Sequence, residues 1–243
     1  MNILWYNTWT LPYITNMNYI NNSINYIEAN ALKYNIDIIG LAELFDNSTR
    51  NIYIDYFVNK LNYKVLDIRD IRGGITNWSK QTSGLLIFYK TTNNIKLINY
   101  KYHIYKDCAL LDCFVSKSLI GLYIKNKYNK IYLICFSHLQ NKDVCFYNNY
   151  CKIVNNKQFK IMNKLIMNWS KNIEFISIGD FNIEPNEIPL KLNIINSKKN
   201  THYNKIYDYA FCSSNLKDKV KITISDIKNN LSDHKLIIIK VKY

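Results

Sequence analysis

Nine short apolar stretches of strand length, several of them apolar at consecutive positions, limit what this chain can fold into: NILWYN, IDIIGLAE, SGLLIFYK, SLIGLYIK, KIYLICFSH, IEFISIGD, YDYAFC, VKITIS and HKLIIIKVKY. A strand with one face in water alternates apolar and polar residues, whereas a run that is apolar at successive positions belongs to a strand covered on both faces. Two segments follow a helical period instead. Ile20, Ile24, Ile27 and Ala31 recur at i, i+4, i+7 and i+11 and predict an amphipathic helix over about 17–34. Val154, Ile161 and Leu165 mark the apolar side of a second, over about 148–169. Buried sheet flanked by helices is a layered α/β protein. The 243 residues are 48% hydrophobic, with 6 Gly, 3 Pro and no linker or internal repeat, so a single domain over 1–243 is expected.

The runs end on polar residues. ILWY stops at Asn7, IDIIGLA at Glu43, KIYLICFS at His138, and EFISIG at Asp180 with Asn182 two residues on; KLIIIKV is preceded by Asp233 and His234. Ligands of α/β sheets bind outside strand ends, so these termini can converge on one crevice. Glu43, Asp180 and Asp233 are hard oxygen ligands suited to Mg²⁺ or Mn²⁺, and the amides of Asn7 and Asn182 add oxygens or donate to an anion. His138 and His234 can donate to a phosphate oxygen or take a proton from water. No Ser or Cys nucleophile motif, HExxH or Cys cluster accompanies them, so the set points to metal-assisted hydrolysis of a phosphoester by water. Singly, each is ordinary: an Asn at a strand end forms turns, a Glu there is a solvated cap, and SDH is a turn tripeptide. Five such endings in one chain make coincidence the poorer account.

Bulk properties add less. The net charge of +14, from 32 Lys+Arg against 18 Asp+Glu, suits a polyanionic partner, either nucleic acid or an anionic membrane met peripherally. It equally suits a solvated basic surface, because Asn, Lys, Ile and Tyr saturate the whole chain as AT-rich codons would dictate. The six cysteines show no CxxC pair and read as free or buried thiols of a reducing compartment. MNILWYNTW lacks a charged leader and no run is long enough to span a membrane, so a cytoplasmic, monomeric protein is expected.

In order, YNTW, GLAELFD, SGLLIFYK, SHLQ, GDFN, YDYAF and LSDHKLII resemble the endonuclease/exonuclease/phosphatase (DNase I-like) superfamily over nearly the whole chain. The resemblance implies a four-layer α/β sandwich with two central, mostly antiparallel sheets and a divalent-metal phosphodiesterase site at one rim. It casts Glu43 as the main metal ligand with Asn7 beside it and Asp233 as a further metal-side carboxylate. Asp180 would orient or deprotonate the attacking water or assist the leaving group, and Asn182 would hold a phosphate oxygen. His234 would be general base or phosphate contact, kept in its tautomer by Asp208; read without the resemblance, Asp208 is a surface carboxylate between two tyrosines. KDCALLDCFVSKSLIGLYIK followed by SHLQ and the helix NKQFKIMNKLI is most similar to the neutral and bacterial sphingomyelinases, where the histidine corresponding to His138 contacts the phosphate. Ala42 stands where that family has Gln, Ser118 where it has Gly, and Ser137 where it has Thr; the short segment after GDFN leaves no room for a hydrophobic hairpin.

Three functions follow. The first is a phospholipid-directed, sphingomyelinase-like phosphodiesterase using Mg²⁺ or Mn²⁺. The second is a DNA or RNA nuclease with the same site, with Trp5, Trp78 and Tyr203 as base-stacking residues. The third is a binding protein with a decayed site, for which Ala42 and Ser118 are the hints.

Overall fold

The computed structural model describes residues 1–10, 15–69, 83–92, 95–145, 149–188, 190, 192–226 and 231–243. Its strands form two six-stranded sheets. The first has the order β11 (Val220–Ile224), β12 (Ile237–Val241), β1 (Asn2–Asn7), β2 (Ile38–Ala42), β4 (Leu86–Tyr89), β3 (Lys64–Leu66). The second has the order β5 (Ile95–Ile104), β6 (Ser118–Asn126), β7 (Ile131–His138), β8 (Glu174–Asp180), β10 (Asp208–Cys212), β9 (Asn193–Ile195).

The two sheets face each other across a core built from alternate residues of their strands, among them Ile3, Trp5, Ile38, Ile87, Phe136, Ile178, Ala210 and Ile239. The intervening residues of β1 and β2, such as Leu4, Tyr6, Ile39 and Leu41, turn outward. They meet Ile20, Ile24, Ile27 and Ala31 of α1 (Met17–Lys33), with Tyr53 of α2 (Asn47–Asp55) in the same cluster. The opposite face of the second sheet packs Leu133, Cys135, Tyr209 and Phe211 against Phe159, Met162 and Ile166 of α3 (Tyr150–Trp169). Helix, sheet, sheet, helix is the expected four-layer sandwich. It explains the continuous apolar runs, because β1, β2, β4, β8 and β10 are covered on both faces.

Each sheet contains one parallel pair, β1 with β2 and β7 with β8, among otherwise antiparallel neighbours. Parallel pairing sets strand ends side by side: Asn7 lies opposite Ala42, and His138 opposite Asp180. The antiparallel neighbours bring their first residues to the same rim, Ser118 opposite His138 and Asp208 opposite Asp180.

The structure corrects two expectations. Four of the six cysteines are oxidised, as Cys108–Cys113 and Cys145–Cys151, and only Cys135 and Cys212 are buried free thiols. Both disulfides close loops of a few residues, a pairing that spacing alone does not distinguish from unpaired thiols. The apolar face of α3 is centred on Phe159, Met162 and Ile166, while Ile161 and Leu165 lie at its flank, half-buried. No helix among the described residues is long and apolar enough to cross a membrane.

Candidate active site

The rim assembles around Asn7. Its side-chain amide, buried at the end of β1, donates to Glu43 Oε1 at 3.0 Å and to Asp180 Oδ2 at 3.0 Å, tying the first sheet to the second. Its Oδ1 accepts the backbone N–H of Trp9, and its carbonyl accepts the hydroxyl of Ser232.

Glu43 follows β2 in a left-handed conformation, φ 62°, which costs a side-chain-bearing residue on the order of 1 kcal/mol. The neighbourhood fixes it there. Thr10 Oγ1 donates to the Glu43 carbonyl at 2.8 Å, and the Thr8 N–H and hydroxyl both reach the Ala42 carbonyl. Leu44 N–H donates to the carbonyl of Gly84, itself at φ 71°, where an added Cβ would lie 2.5 Å from the Phe45 ring. Arg50, fully buried, then holds the carbonyls of Leu44 and Leu85 at 2.9 Å each and pairs with Asp67. Ala42 itself packs in the inter-sheet core, so Glu43 takes its support from Asn7 and Thr10.

On the second sheet, Gly179 lets β8 approach β7 where His138 and Asp180 lie: a Cβ there would be 2.1 Å from the Ser137 carbonyl oxygen. Ser137 donates to the Ser118 carbonyl at 3.0 Å and meets the Tyr105 hydroxyl at 3.1 Å, so both serines serve the β6–β7 pairing at the rim. His138 Nε2 lies 3.7 Å from Glu43 Oε1 and 3.7 Å from Asp180 Oδ2. Lys117, also buried, donates to it at 3.0 Å, and lies 3.5 Å from Asp112 within the Cys108–Cys113 loop.

The strand period does not carry past Asp180. β8 ends there, and Asn182 turns into the left-handed region at φ 50°. Its N–H returns to Asp180 Oδ1 at 3.1 Å and its side-chain amide donates to the Leu139 carbonyl at 3.0 Å. The two side chains are therefore related by a turn that fixes the Asp180 carboxylate, not by a shared strand face.

His234 Nδ1 meets Asp208 Oδ2 at 2.7 Å, and its Nε2 points to Asp180 Oδ2 at 3.5 Å and Asp233 Oδ1 at 3.9 Å. Asp208 is fully buried, not a surface group. Trp5 Nε1 donates to its other oxygen at 2.9 Å, and Thr201 Oγ1 accepts the N–H groups of Tyr207 and Asp208. Trp5 has no exposed surface and so cannot stack on a base; Tyr203 is 74% exposed, and Trp78 lies outside the described residues.

Burial raises the carboxyl of Glu43 above its ordinary value, against the opposing pull of Lys117 and Asn7. Burial likewise raises Asp180, with His234 opposing and Asp208 and Glu43 adding to the rise. Burial works to lower His234, but Asp208 and Asp180 outweigh it and hold the imidazole above its usual range. His138 goes the other way, pushed well down by burial, Lys117 and His234. One histidine is thus neutral and the other carries the proton, 3.5 Å from a carboxylate of raised basicity.

The eight residues given catalytic, phosphate or metal roles, Asn7, Glu43, His138, Asp180, Asn182, Asp208, Asp233 and His234, all lie at this rim. Thr201, His202 and Lys117 join them without having been named as site residues, and Trp5 joins them in a role other than the base stacking expected of it: Thr201 and His202 lie in a loop without a motif, and Lys117 was marked only by preceding Ser118 in the stretch that resembles the sphingomyelinases. Among the described residues, two groups of His, Asp and Glu have ligand atoms within 4.8 Å of one another, Asp180/Asp208/His234 and His202/Asp233/His234. Glu43 belongs to neither, being held by Asn7.

No family model matches the sequence, and no curated protein does. Solved structures do match the fold. A sphingomyelinase C from Streptomyces griseocarneus superposes with a TM-score of 0.75 at 14% identity, covering 100% of this chain and 99% of that one. A beta toxin double mutant from Staphylococcus aureus with bound magnesium ions gives 0.77 at 16%, covering 99% of each. A D. rerio TDP2 complexed with single strand DNA product gives 0.70 at 13%, covering 100% and 99%. At these identities the likeness is one of fold: two mixed six-stranded sheets in the DNase I-like α/β sandwich, as the resemblance in the sequence implied.

Proposed function

We propose that this protein is a divalent-metal-dependent phosphodiesterase of the sphingomyelinase-like kind, hydrolysing the head-group phosphodiester of a phospholipid with an activated water. The observation that carries this reading is the convergence of Asn7, Glu43, His138, Asp180 and the Asp208–His234 pair at one rim, each at or beside a strand end. The donor set fits a hard cation. Glu43, partly exposed, and Asp180, buried, are carboxylates sharing one amide, and the raised basicity of both marks negative charge that lacks a full counterion. Glu43 and Asn7, with Asp233 as the further carboxylate, would hold Mg²⁺ or Mn²⁺, which when bound supplies Lewis-acid polarisation of a phosphoryl oxygen.

The chain's own residues supply the proton chemistry. Asp180 takes a proton from the attacking water as the oxygen–phosphorus bond forms, with Asn182 holding its carboxylate in place. His234, oriented by Asp208, presents a charged Nε2–H to the phosphate and can protonate the departing alkoxide. His138, neutral and accepting from Lys117 at Nε2, carries its proton on Nδ1 and would contact a phosphoryl oxygen only through that proton.

Hydrolysis of sphingomyelin, lysophospholipid, plasmid DNA and an abasic-site duplex, each with Mg²⁺ and with EDTA, tests the substrate. Metal-dependent turnover of the choline-phosphate lipids with none on DNA is expected. The net charge of +14 favours the nuclease as second reading, and turnover of DNA alone would replace the lipid with it. Glu43→Ala is expected to abolish Mg²⁺-dependent hydrolysis of bis-p-nitrophenyl phosphate while leaving the melting temperature nearly unchanged, since its carboxylate is partly exposed and the Asn7 amide keeps Asp180 as a partner. Persistent activity would remove Glu43 from the mechanism, and inactivity of the parent protein on every diester would leave the binding-protein reading. Two disulfides accord with an oxidising compartment, which we propose in place of the cytoplasm.

A further inference from the structure

His202 follows Thr201 in the turn closed by Lys205, and an isolated bridge pairs it with His234. Its ring is fixed on three sides: stacked on Tyr207 at 5.3 Å, edge-on to Tyr203 at 4.6 Å, and against His234 at 4.4 Å between centroids. Nε2 lies 3.2 Å from Asp233 Oδ2, and Nδ1 is buried with no hydrogen-bond partner. Buried ring nitrogens are seldom left so. His234 meets the same carboxylate from the other side, Nε2 to Asp233 Oδ1 at 3.9 Å, and the donor atoms of all three residues lie within 4.8 Å of one another.

Tetrahedral coordination with bonds of about 2.0–2.1 Å spaces its donors roughly 3.3 Å apart, between the two separations found here. Two imidazoles and one carboxylate are a borderline donor set that suits Zn²⁺ or Co²⁺ and not Mg²⁺. His234 is already oriented as metal-binding histidines are: Nδ1 faces the carboxylate of Asp208, itself held by Trp5, so Nε2 faces the cluster.

We propose that His202, Asp233 and His234 form a second cation site, sharing the Asp233 carboxylate with the Mg²⁺ site and selective for borderline ions such as Zn²⁺ or Co²⁺ over Mg²⁺, and that filling it inhibits hydrolysis by occupying Nε2 of His234. The inhibitory half rests on the phosphodiesterase reading; the binding half does not.

The test is a Co²⁺ titration of the chelator-stripped full chain in excess Mg²⁺, read by visible absorption. The expected result is one Co²⁺ with the intense bands of low-coordinate nitrogen ligation, persisting in Mg²⁺. His202→Ala and the more size-conserving His202→Gln are expected to lose those bands and weaken Co²⁺ binding by about tenfold or more, with unchanged far-ultraviolet circular dichroism. If the alanine variant does not fold, the glutamine variant decides. Equal bands and affinity in parent and folded variant, or full displacement of Co²⁺ by Mg²⁺, would overturn the site. Zn²⁺ titrated into Mg²⁺-supported hydrolysis of bis-p-nitrophenyl phosphate is expected to inhibit the parent, and His202→Gln only at about tenfold higher Zn²⁺ or more, each relative to its own zinc-free rate. An unshifted inhibition curve would overturn the inhibitory half. Retained Co²⁺ bands in a protein that hydrolyses no diester would sink the phosphodiesterase reading and leave the cation site standing.

Discussion

Trp5 illustrates how a side chain inside a buried strand bears on the chemistry. It is buried between the sheets, stacked at 6.1 Å on Phe136, and its indole N–H ends on the carboxylate that orients His234. Trp5→Phe removes that donor while keeping most of the packing. A lost hydrogen bond to a buried charge costs about 1.5–3 kcal/mol, and a partner that orients a working histidine is worth about 10–100-fold in function. Urea unfolding and steady-state kinetics on the same variant should show both losses; a stability loss with unaltered turnover would confine Trp5 to packing. Nothing in the sequence marks this role, because hydrogen bonding between β1 and β10 appears only when the two sheets face each other. His234 and Asp180 were legible for the opposite reason: a charged or titratable group beside a fully apolar strand is conspicuous in one dimension.

At the scale of elements, the motifs that looked chemical divide into chemistry and architecture. In GLAELFD, Glu43 faces the site, but Asp46 is the N-cap of α2, its carboxylate accepting the Thr49 N–H at 2.8 Å and the Ser48 hydroxyl. Burial works to raise the Asp46 carboxyl, yet these hydrogen bonds outweigh it and lower it below its usual value. A lowered folded-state value means stability that is present above the unfolded value of about 3.9 and lost as pH falls through the folded one. Asp46→Ala should therefore cost about 1 kcal/mol near neutral pH, and Asp46→Asn should flatten the acid side of the stability profile while retaining much of the cap. Chemical denaturation at about pH 7 and about pH 3 reads both. In GDFN, Gly179 is the architectural residue. Gly179→Ala must part β7 from β8 at the Ser137 carbonyl, so a stability loss of about 1–3 kcal/mol, with activity falling further than stability explains, is expected from melting and kinetics together. Strand β5 escaped the sequence reading because it is an edge strand, mostly exposed from Lys96 to Tyr102, and lacks the apolar run that announced its neighbours.

For the molecule as a whole, the site exists because two sheets meet. Asn7 and Glu43 come from one, His138, Asp180 and Asp208 from the other, and the Asn7 amide bridges the two by donating to the carboxylates of both Glu43 and Asp180. The disulfides brace the surrounding loops: Cys108–Cys113 encloses Asp112, which accepts the Asn141 N–H and approaches Lys117, and Cys145–Cys151 ties the loop after β7 to α3. Thiol titration of the denatured chain without reductant should count two reactive cysteines, Cys135 and Cys212, and all six after reduction; six at the outset would return the chain to the reducing compartment that spacing suggested. The sequence by itself determined the layers, since apolar runs and a helical period are local patterns that burial enforces, and it determined which strand ends carry chemistry, since polar atoms beside buried strands need a reason. Only the tertiary structure decided the cysteine pairing, the burial of Asp208, the turn that separates Asn182 from the face of Asp180, and the approach of His202 to His234. Those depend on distances between residues remote in the chain, which the order of residues leaves open until the two sheets pack face to face.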